Sequence, residues 1–417
     1  MAIFRKRIND VFTPRNPDVN QTMYIHRTEL ERALRDAIEG TLHVLVHGES
    51  GCGKSWLYKK VLGDAGIDFI VVNLANASRF GGISKEMANI VSRVGETRKT
   101  GYTETKGAEV SVVVAKGSLE HEGQYEISQS QDPLEDCLRL VREQADKKQA
   151  CVVLDNLEAI FDSEPLMREL GDIIVLLDDA RYSAYHVKFL IVGIPAEVRD
   201  YFANLRNRET VSNRVQEIPE VKKLTEGQVA EFVKKGFCDE LKVDFGGVLL
   251  SQFQYHVYWV TDGVPQRVHE YCLELARLVA DNDWRPEQAQ LQKADGRWLK
   301  SALSNNYAVV EGLMNERETR AGRRNQVLYA LGQVAGDTFR YNDIEEIVRV
   351  EFPKSTEGVT LDIAGVLAQI ANSKFPPIKR PAKGDSYRFV DPKFRMCLRT
   401  MLSKEGERVS KLDFSTL

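Results

Sequence analysis

Gly48-Glu49-Ser50-Gly51-Cys52-Gly53-Lys54-Ser55 follows the apolar run Thr41-Leu42-His43-Val44-Leu45-Val46-His47 and leads into Trp56-Leu57, with Val61 and Leu62 a turn further on. The octet has the form G-x-x-x-x-G-K-S/T, the spacing of a phosphate-binding loop. Glycines at three of its positions let backbone N–H groups curl round phosphate, where a Cβ would clash or forbid the φ required. Lys54 supplies a flexible ammonium for the β- and γ-phosphates, and Ser55 a hydroxyl for Mg2+. The run before the loop predicts a buried parallel strand. The helical spacing after it points a helix N-terminus at the anion. Strand, loop and helix in this order predict a site for ATP and Mg2+ lined by Gly48, Glu49, Ser50, Gly51, Cys52, Gly53, Lys54, Ser55 and Trp56.

A second stretch completes the metal side. Ala150-Cys151-Val152-Val153-Leu154-Asp155 is an apolar strand ending in a carboxylate, the Walker B form. Such a strand sets its last residue beside the loop, where Asp holds Mg2+ through water. Ser55 and Asp155 are therefore the expected metal pair, and Lys54 and Asp155 the first catalytic groups. Asn156 follows, and an amide is no useful proton acceptor; Glu158 lies two residues further. Two readings stand. Either Glu158 reaches round as the base for the attacking water, or the base is missing and hydrolysis is slow.

The 417 residues allow two or three domains, and 43% hydrophobic with 28% charged residues is ordinary for a soluble globular chain. No apolar run reaches the length of a membrane span, and Met1-Ala2-Ile3-Phe4-Arg5-Lys6-Arg7 lacks the apolar core of a signal peptide. The expected compartment is the cytoplasm, with no membrane partner. Six cysteines lie scattered without a C-x-x-C pair, which argues against zinc and against a disulfide framework. Net charge is -4, but Ala371 to Leu417 carries eleven Lys/Arg against five acids, a basic end on an acidic body. That asymmetry suits a polyanion contact; a solvated helix face is the plainer account.

The rest of the chain reads in order. Asp68 to Asn73 and Val187 to Gly193 are further buried strands; Ile83 to Val94, Pro133 to Asp146 and Pro165 to Arg181 are helices. Residues 95–131 are polar and Gly-rich and read as an inserted hairpin or loop. Val221 to Ala280 is all-helical, with Thr225 and Gln228 close to a capping box. Residues 282–305 look like a linker with at most one helix. Then come three amphipathic helices, starting near Asn325, Asn342 and Thr360. A hairpin of Ile378-Lys379-Arg380 and Ser386 to Val390 follows, and Asp391-Pro392 opens a basic helix. That order predicts a winged helix-turn-helix. Lys379, Arg380, Lys383 and Arg388 would then lie along DNA phosphates. A protein partner is the other reading, because the third helix, Leu361 to Asn372, has no Lys or Arg. The expected domains are a P-loop NTPase domain at 1–215, a helical lid at 216–283, a linker at 284–318 and the winged helix at 319–417.

Taken together, the chain resembles the AAA+/STAND group of P-loop ATPases. It is most similar to archaeal and bacterial members with a helical lid and a C-terminal winged helix, such as replication-origin initiators. It also looks like ATPases of transposition and anti-phage systems. The P-loop and Walker B carry the likeness. It implies an α/β P-loop NTPase fold with a parallel sheet in order 5-1-4-3-2. It also implies a homo-oligomer that assembles on DNA under control of ATP, and a signalling or scaffold ATPase with a protein partner is the alternative. Further roles follow by position. Tyr24-Ile25-His26-Arg27 resembles the box that opens AAA+ domains, which assigns Tyr24 and Arg27 to the nucleotide. Arg214, after Arg206 and Arg208, is placed as the arginine finger for a neighbour's site. Pro265 matches the Gly-x-Pro step of the lid. Gln266 stands where sensor 2 arginine is usual, leaving Arg267 as the substitute, rotated about 100° round the helix. Asn156 departs from the usual Glu of that position, and Gly193-Ile194-Pro195 offers no polar sensor 1.

Overall fold

Neighbouring side chains on a strand point to opposite faces, and this decides how the nucleotide half is layered. Val44, Val46, Cys151, Val153, Leu190 and Val192 enter one core. Leu45, Val152, Leu154, Phe189 and Ile191, the residues between them, enter another. Such strands need cover on both sides. Helices Thr28–Glu39 and Lys54–Asp64 supply it on the first face. Pro133–Ala145 and Glu164–Leu176 supply it on the second, with the start of Ile83–Thr100.

The structure is a computed structural model, and it describes residues 4–100, 132–193, 213–315, 322–381 and 384–412. Apart from 95–100, which are the end of helix Ile83–Thr100, the insert at 95–131 lies outside the described residues, as do Ile194, Pro195, Arg206, Arg208 and Lys383. The chain divides into two compact units. The nucleotide unit holds Pro17–Val19 and His26–Lys222; the helical unit holds Met1–Asn16, Asn20–Ile25 and Lys223–Leu417.

In the nucleotide unit, β1 (His43–His47), β2 (Asp68–Asn73), β3 (Ala150–Asp155), β4 (Val187–Gly193) and β5 (Val215–Glu217) form one sheet in order β2-β3-β4-β1-β5. All pairings are parallel. This is the expected 5-1-4-3-2 order read from the other edge. Register sets the ends level: Asn73 faces Asp155, and His47 faces Gly193. One expected helix is broken. The stretch Pro165 to Arg181 ends as a helix at Leu176, and Asp179 accepts from the Arg181 N–H at 2.9 Å to start a new turn, Ala180–Ser183.

In the helical unit, Thr225 and Gln228 form the expected capping box of Glu226–Val233. That helix runs into a π-helix, Lys234–Glu240. Gly236 of the π-helix is needed for space: a Cβ would lie 2.6 Å from the ring of Phe12. Helices Gly247–Thr261 and Pro265–Asp281 follow. The stretch read as a linker, 284–318, carries two helices, Ala289–Ala302 and Ser304–Leu313, and Trp298 of the first is fully buried. Its polar composition hides buried apolar positions at helical spacing, Leu291, Ala294, Trp298 and Leu299 in the first helix. Helices Arg323–Gln333, Tyr341–Glu351 and Ile363–Ala371 lead to a small antiparallel sheet of β6 (Thr338–Phe339), β7 (Ile378–Lys379) and β8 (Tyr387–Phe389). Helix Lys393–Met401 and a hairpin of β9 (Leu402–Glu405) and β10 (Arg408–Lys411) end the described chain.

A buried ionic cluster joins the two ends of this unit. Asp262, the left-handed C-cap of Gly247–Thr261, accepts from Arg399 at 3.0 Å and from Arg395. Lys223 donates to Asp262 and to Asp337, both at 2.9 Å, and Arg395 reaches Asp337 at 2.7 Å. Arg399 also lies over the Trp259 ring, 4.0 Å from its centroid. Two cations of the basic end are therefore spent inside the unit. Lys404 pairs with Glu351, Lys411 with Glu311, and Arg380 with Asp385. Among the described residues, no helix is long and apolar enough to cross a membrane.

Candidate nucleotide site

The site is built where β1, β3 and β4 end together. Beyond β1 the backbone turns sharply: Gly51 and Gly53 take left-handed φ of 82° and 88°, conformations open to glycine at little cost. Gly48 is small for a different reason. A Cβ there would sit 2.4 Å from the Val221 carbonyl oxygen, because residues 215–221 run on beside β1. Helix Lys54–Asp64 starts directly at Gly53. Its first-turn N–H groups have no intrahelical partners and carry the positive end of the dipole.

The side chains of the loop converge. Lys54 Nζ donates to the carbonyls of Gly48, at 2.7 Å, and Glu49, at 3.1 Å, and braces the turn. Burial lowers its pKa from the ordinary lysine value; the charges of Glu158, Cys52, Asp155 and Glu49 oppose that, Glu158 foremost. Ser55 Oγ donates to Asp155 Oδ2 at 3.2 Å. Tyr58 OH donates to the same oxygen at 3.1 Å, and the Asn156 N–H donates to Oδ1 at 2.9 Å. Asn156 itself is left-handed, φ 64°, and its amide donates to Asn73 Oδ1 at 3.1 Å. Glu158 lies on the 3-10 turn Leu157–Ile160. Its Oε2 is buried, and no hydrogen bond joins it to a described residue.

Arg27 reaches the loop from the N-terminal side. Its fork donates to Cys52 O at 2.9 Å and to Lys222 O at 3.1 Å. Glu49 and Trp56 are half-buried at the loop, Ser50 is exposed and Cys52 is buried. At the end of β4, Gly193 accepts from the Gly48 N–H at 3.3 Å. A Cβ at Gly193 would come within 2.9 Å of Leu157 Cβ, so Leu157 fills the space beside Gly193.

Tyr24, Pro265 and Arg267 belong to the helical unit. The Tyr24 carbonyl accepts from Lys235 at 3.2 Å. Pro265 opens its helix at the first position, and Arg267 grips Glu270 through both oxygens at 2.8 and 2.6 Å. Arg214 stands at the far end of the sheet from its own P-loop: its carbonyl accepts from the His43 N–H, where β1 begins. Its Nε lies 2.5 Å from Asp178. Sequence reasoning missed Tyr58 and Asn73. The signal for Tyr58 was present: a hydroxyl three residues after Ser55, on the face that Leu57, Val61 and Leu62 bury.

The arrangement fits Mg2+ and ATP on its own chemistry. Hard oxygen donors, the Ser55 hydroxyl and the Asp155 carboxylate, sit side by side as Mg2+ requires. Beside them stand an ammonium and a helix N-terminus for phosphate.

An α/β P-loop NTPase fold is the class that this sheet order and loop define. Residues 37–202 match the family model described as AAA domain. No curated protein matches the sequence. Among solved structures, the fold is similar to the Walker-type ATPase PABY2304 of Pyrococcus abyssi, at 16% identity and TM-score 0.52, covering 92% of this chain and 99% of that one. The ORC2 protein of Aeropyrum pernix in its ADPNP–ADP complexes gives 12% identity and TM-score 0.49, covering 93% and 97%. Cdc6p from Pyrobaculum aerophilum gives 12% and 0.43, covering 94% and 97%.

Proposed function

We propose that the protein is a slowly hydrolysing ATPase that works as an assembly switch: ATP with Mg2+ holds one state, and turnover releases it. The observation that carries this reading is the row Lys54, Ser55, Asp155 and Glu158 at one sheet end, with Asn156 turned away to Asn73. In it Lys54 neutralises phosphate, and Ser55 and Asp155 hold Mg2+. Glu158, buried on one oxygen and without a hydrogen bond to a described residue, is the group able to take a proton from water. Two features favour slow turnover. The residue after Asp155 cannot accept a proton, and Leu157 occupies the space beside Gly193 where a polar side chain would orient the reacting group. Tyr24 and Arg27 are assigned to the nucleotide, with Pro265 and Arg267 on the lid side.

The same reading makes the protein a homo-oligomer in which Arg214 serves a neighbour's site. Turnover per subunit should then rise steeply with protein concentration, and Arg214→Ala should remove the rise. Fast turnover by a strictly monomeric protein, indifferent to Arg214→Ala, would refute the switch.

DNA is the partner proposed for 319–417, as a winged helix of replication, transposition or defence type. Its support is local. Lys379 and Arg388 are exposed cross-strand neighbours in the β7–β8 hairpin, with Lys374 following the third helix. Reversing both charges, Lys379→Glu with Arg388→Glu, should weaken duplex binding and flatten its salt dependence. A specific observation favours a protein partner as the second reading: Arg395 and Arg399 face Asp262 rather than solvent, and the third helix shows Ala364, Gln369 and Asn372 outward. Salt-insensitive or absent duplex binding by the full chain would select it.

A further inference from the structure

We propose that Tyr58 is a positioning residue for the metal-side carboxylate and sets how strongly nucleotide binding depends on Mg2+. The inference rests on the nucleotide reading above. Ser55 and Tyr58 are three residues apart on helix Lys54–Asp64, so their hydroxyls leave the same side of it. Both donate to one atom, Asp155 Oδ2, at 3.2 and 3.1 Å, while the Asn156 N–H takes Oδ1 at 2.9 Å. The carboxylate is thus fixed by three donors from two elements and cannot turn about its last bond without breaking one.

The donors differ in what else they do. Ser55 gives its oxygen to the metal in this reading, so its hydrogen bond is the one that changes on loading. Tyr58 has no such second duty. It is buried at 1% exposure, and its ring stands edge-on to Phe69, with centroids 6.0 Å apart and planes at 88°. Its hydroxyl carries a proton at neutral pH and points it at Asp155 Oδ2, so it remains a donor. A tyrosine there only to fill space would bury its hydroxyl at a cost; this one directs it at a carboxylate. Tyr58 therefore keeps Asp155 aimed while Ser55 moves, which lowers the ordering that metal binding must impose. Losing such an outer partner weakens a metal site by roughly ten- to a hundredfold.

The test is Tyr58→Phe in the full chain, which keeps the ring and its packing on Phe69. ATP affinity is measured by calorimetry across a Mg2+ series and in EDTA. The expected result is unchanged affinity in EDTA, with the Mg2+ concentration for half-maximal enhancement raised roughly tenfold or more. The same Mg2+ response in both proteins overturns the proposal. So does an equal loss with and without Mg2+, which is the mark of a packing role. A parent protein that binds no nucleotide under either condition defeats the nucleotide reading itself, a result separable from the other two.

Discussion

Lys54→Ala abolishes ATP binding while leaving the chain folded. The side chain has two duties in the structure. Its ammonium is the cation placed for the β/γ-phosphates, and it ties the loop to itself through the carbonyls of Gly48 and Glu49. Alanine removes both the charge and the brace. Charge-assisted bonds contribute about 1.5–3 kcal/mol each, so losing two of them weakens binding by roughly a hundredfold or more. The fold should tolerate the change, because Lys54 is only half-buried at the first position of its helix and neither carbonyl it serves belongs to a strand. Calorimetry with ATP and Mg2+ measures the loss, and circular dichroism verifies the fold. Unchanged affinity in the folded variant would show that the loop is not the phosphate site.

Glu158→Gln separates a working base from a bystander. The substitution keeps size and burial and removes only the ability to take a proton. If Glu158 is the base, turnover falls roughly a hundredfold or more while ATP binding persists. The residue was open to a second account, capping of the turn that follows, in which glutamine would serve as well. The geometry speaks against that account: the carboxylate makes no hydrogen bond to a described residue, and it is the foremost charge acting on Lys54. Equal turnover in the two proteins would remove Glu158 from the mechanism. Installing the usual residue one place after the Walker B Asp is no simple rescue. Asn156 has φ 64°, where a longer side chain costs about 1–2 kcal/mol, and Asn156→Glu would also give up the bond to Asn73.

Four of the five strands and the loop between β1 and its helix were legible because each is an apolar run bounded by turn residues. Strand β5 was not. Val215, Gln216 and Glu217 are partly or fully exposed at the sheet edge, so no apolar pattern marks them; pairing with His43 to Leu45 makes them a strand. Lys54, Ser55 and Asp155 were legible because their spacing is dictated by phosphate and metal. Tyr58 was passed over despite its place three residues after Ser55, because an interior tyrosine reads as core until its hydroxyl's partner is seen. The basic C-terminal stretch misled in the opposite direction. Composition counts Arg395 and Arg399 as surface charge, but they lie 133 and 137 positions from the carboxylate they share, Asp262, and no local pattern reveals a partner so distant.

That carboxylate has a consequence for how the protein can be dissected. Asp262 and its two arginines come from opposite ends of the helical unit, so no cut between them yields two neutralised pieces. A piece beginning near residue 319 would carry Arg395 and Arg399 without Asp262, leaving Asp337 for Arg395 and no carboxylate for Arg399. It would lose roughly 3–5 kcal/mol for each buried pair broken, a large share of a domain's stability. It would also leave unneutralised Arg399, a cation that the intact chain keeps inside. Such a fragment would cling to any polyanion, and its affinity would measure the severed partnership rather than the native surface. Any test for nucleic-acid binding is therefore made on the uncut chain alone.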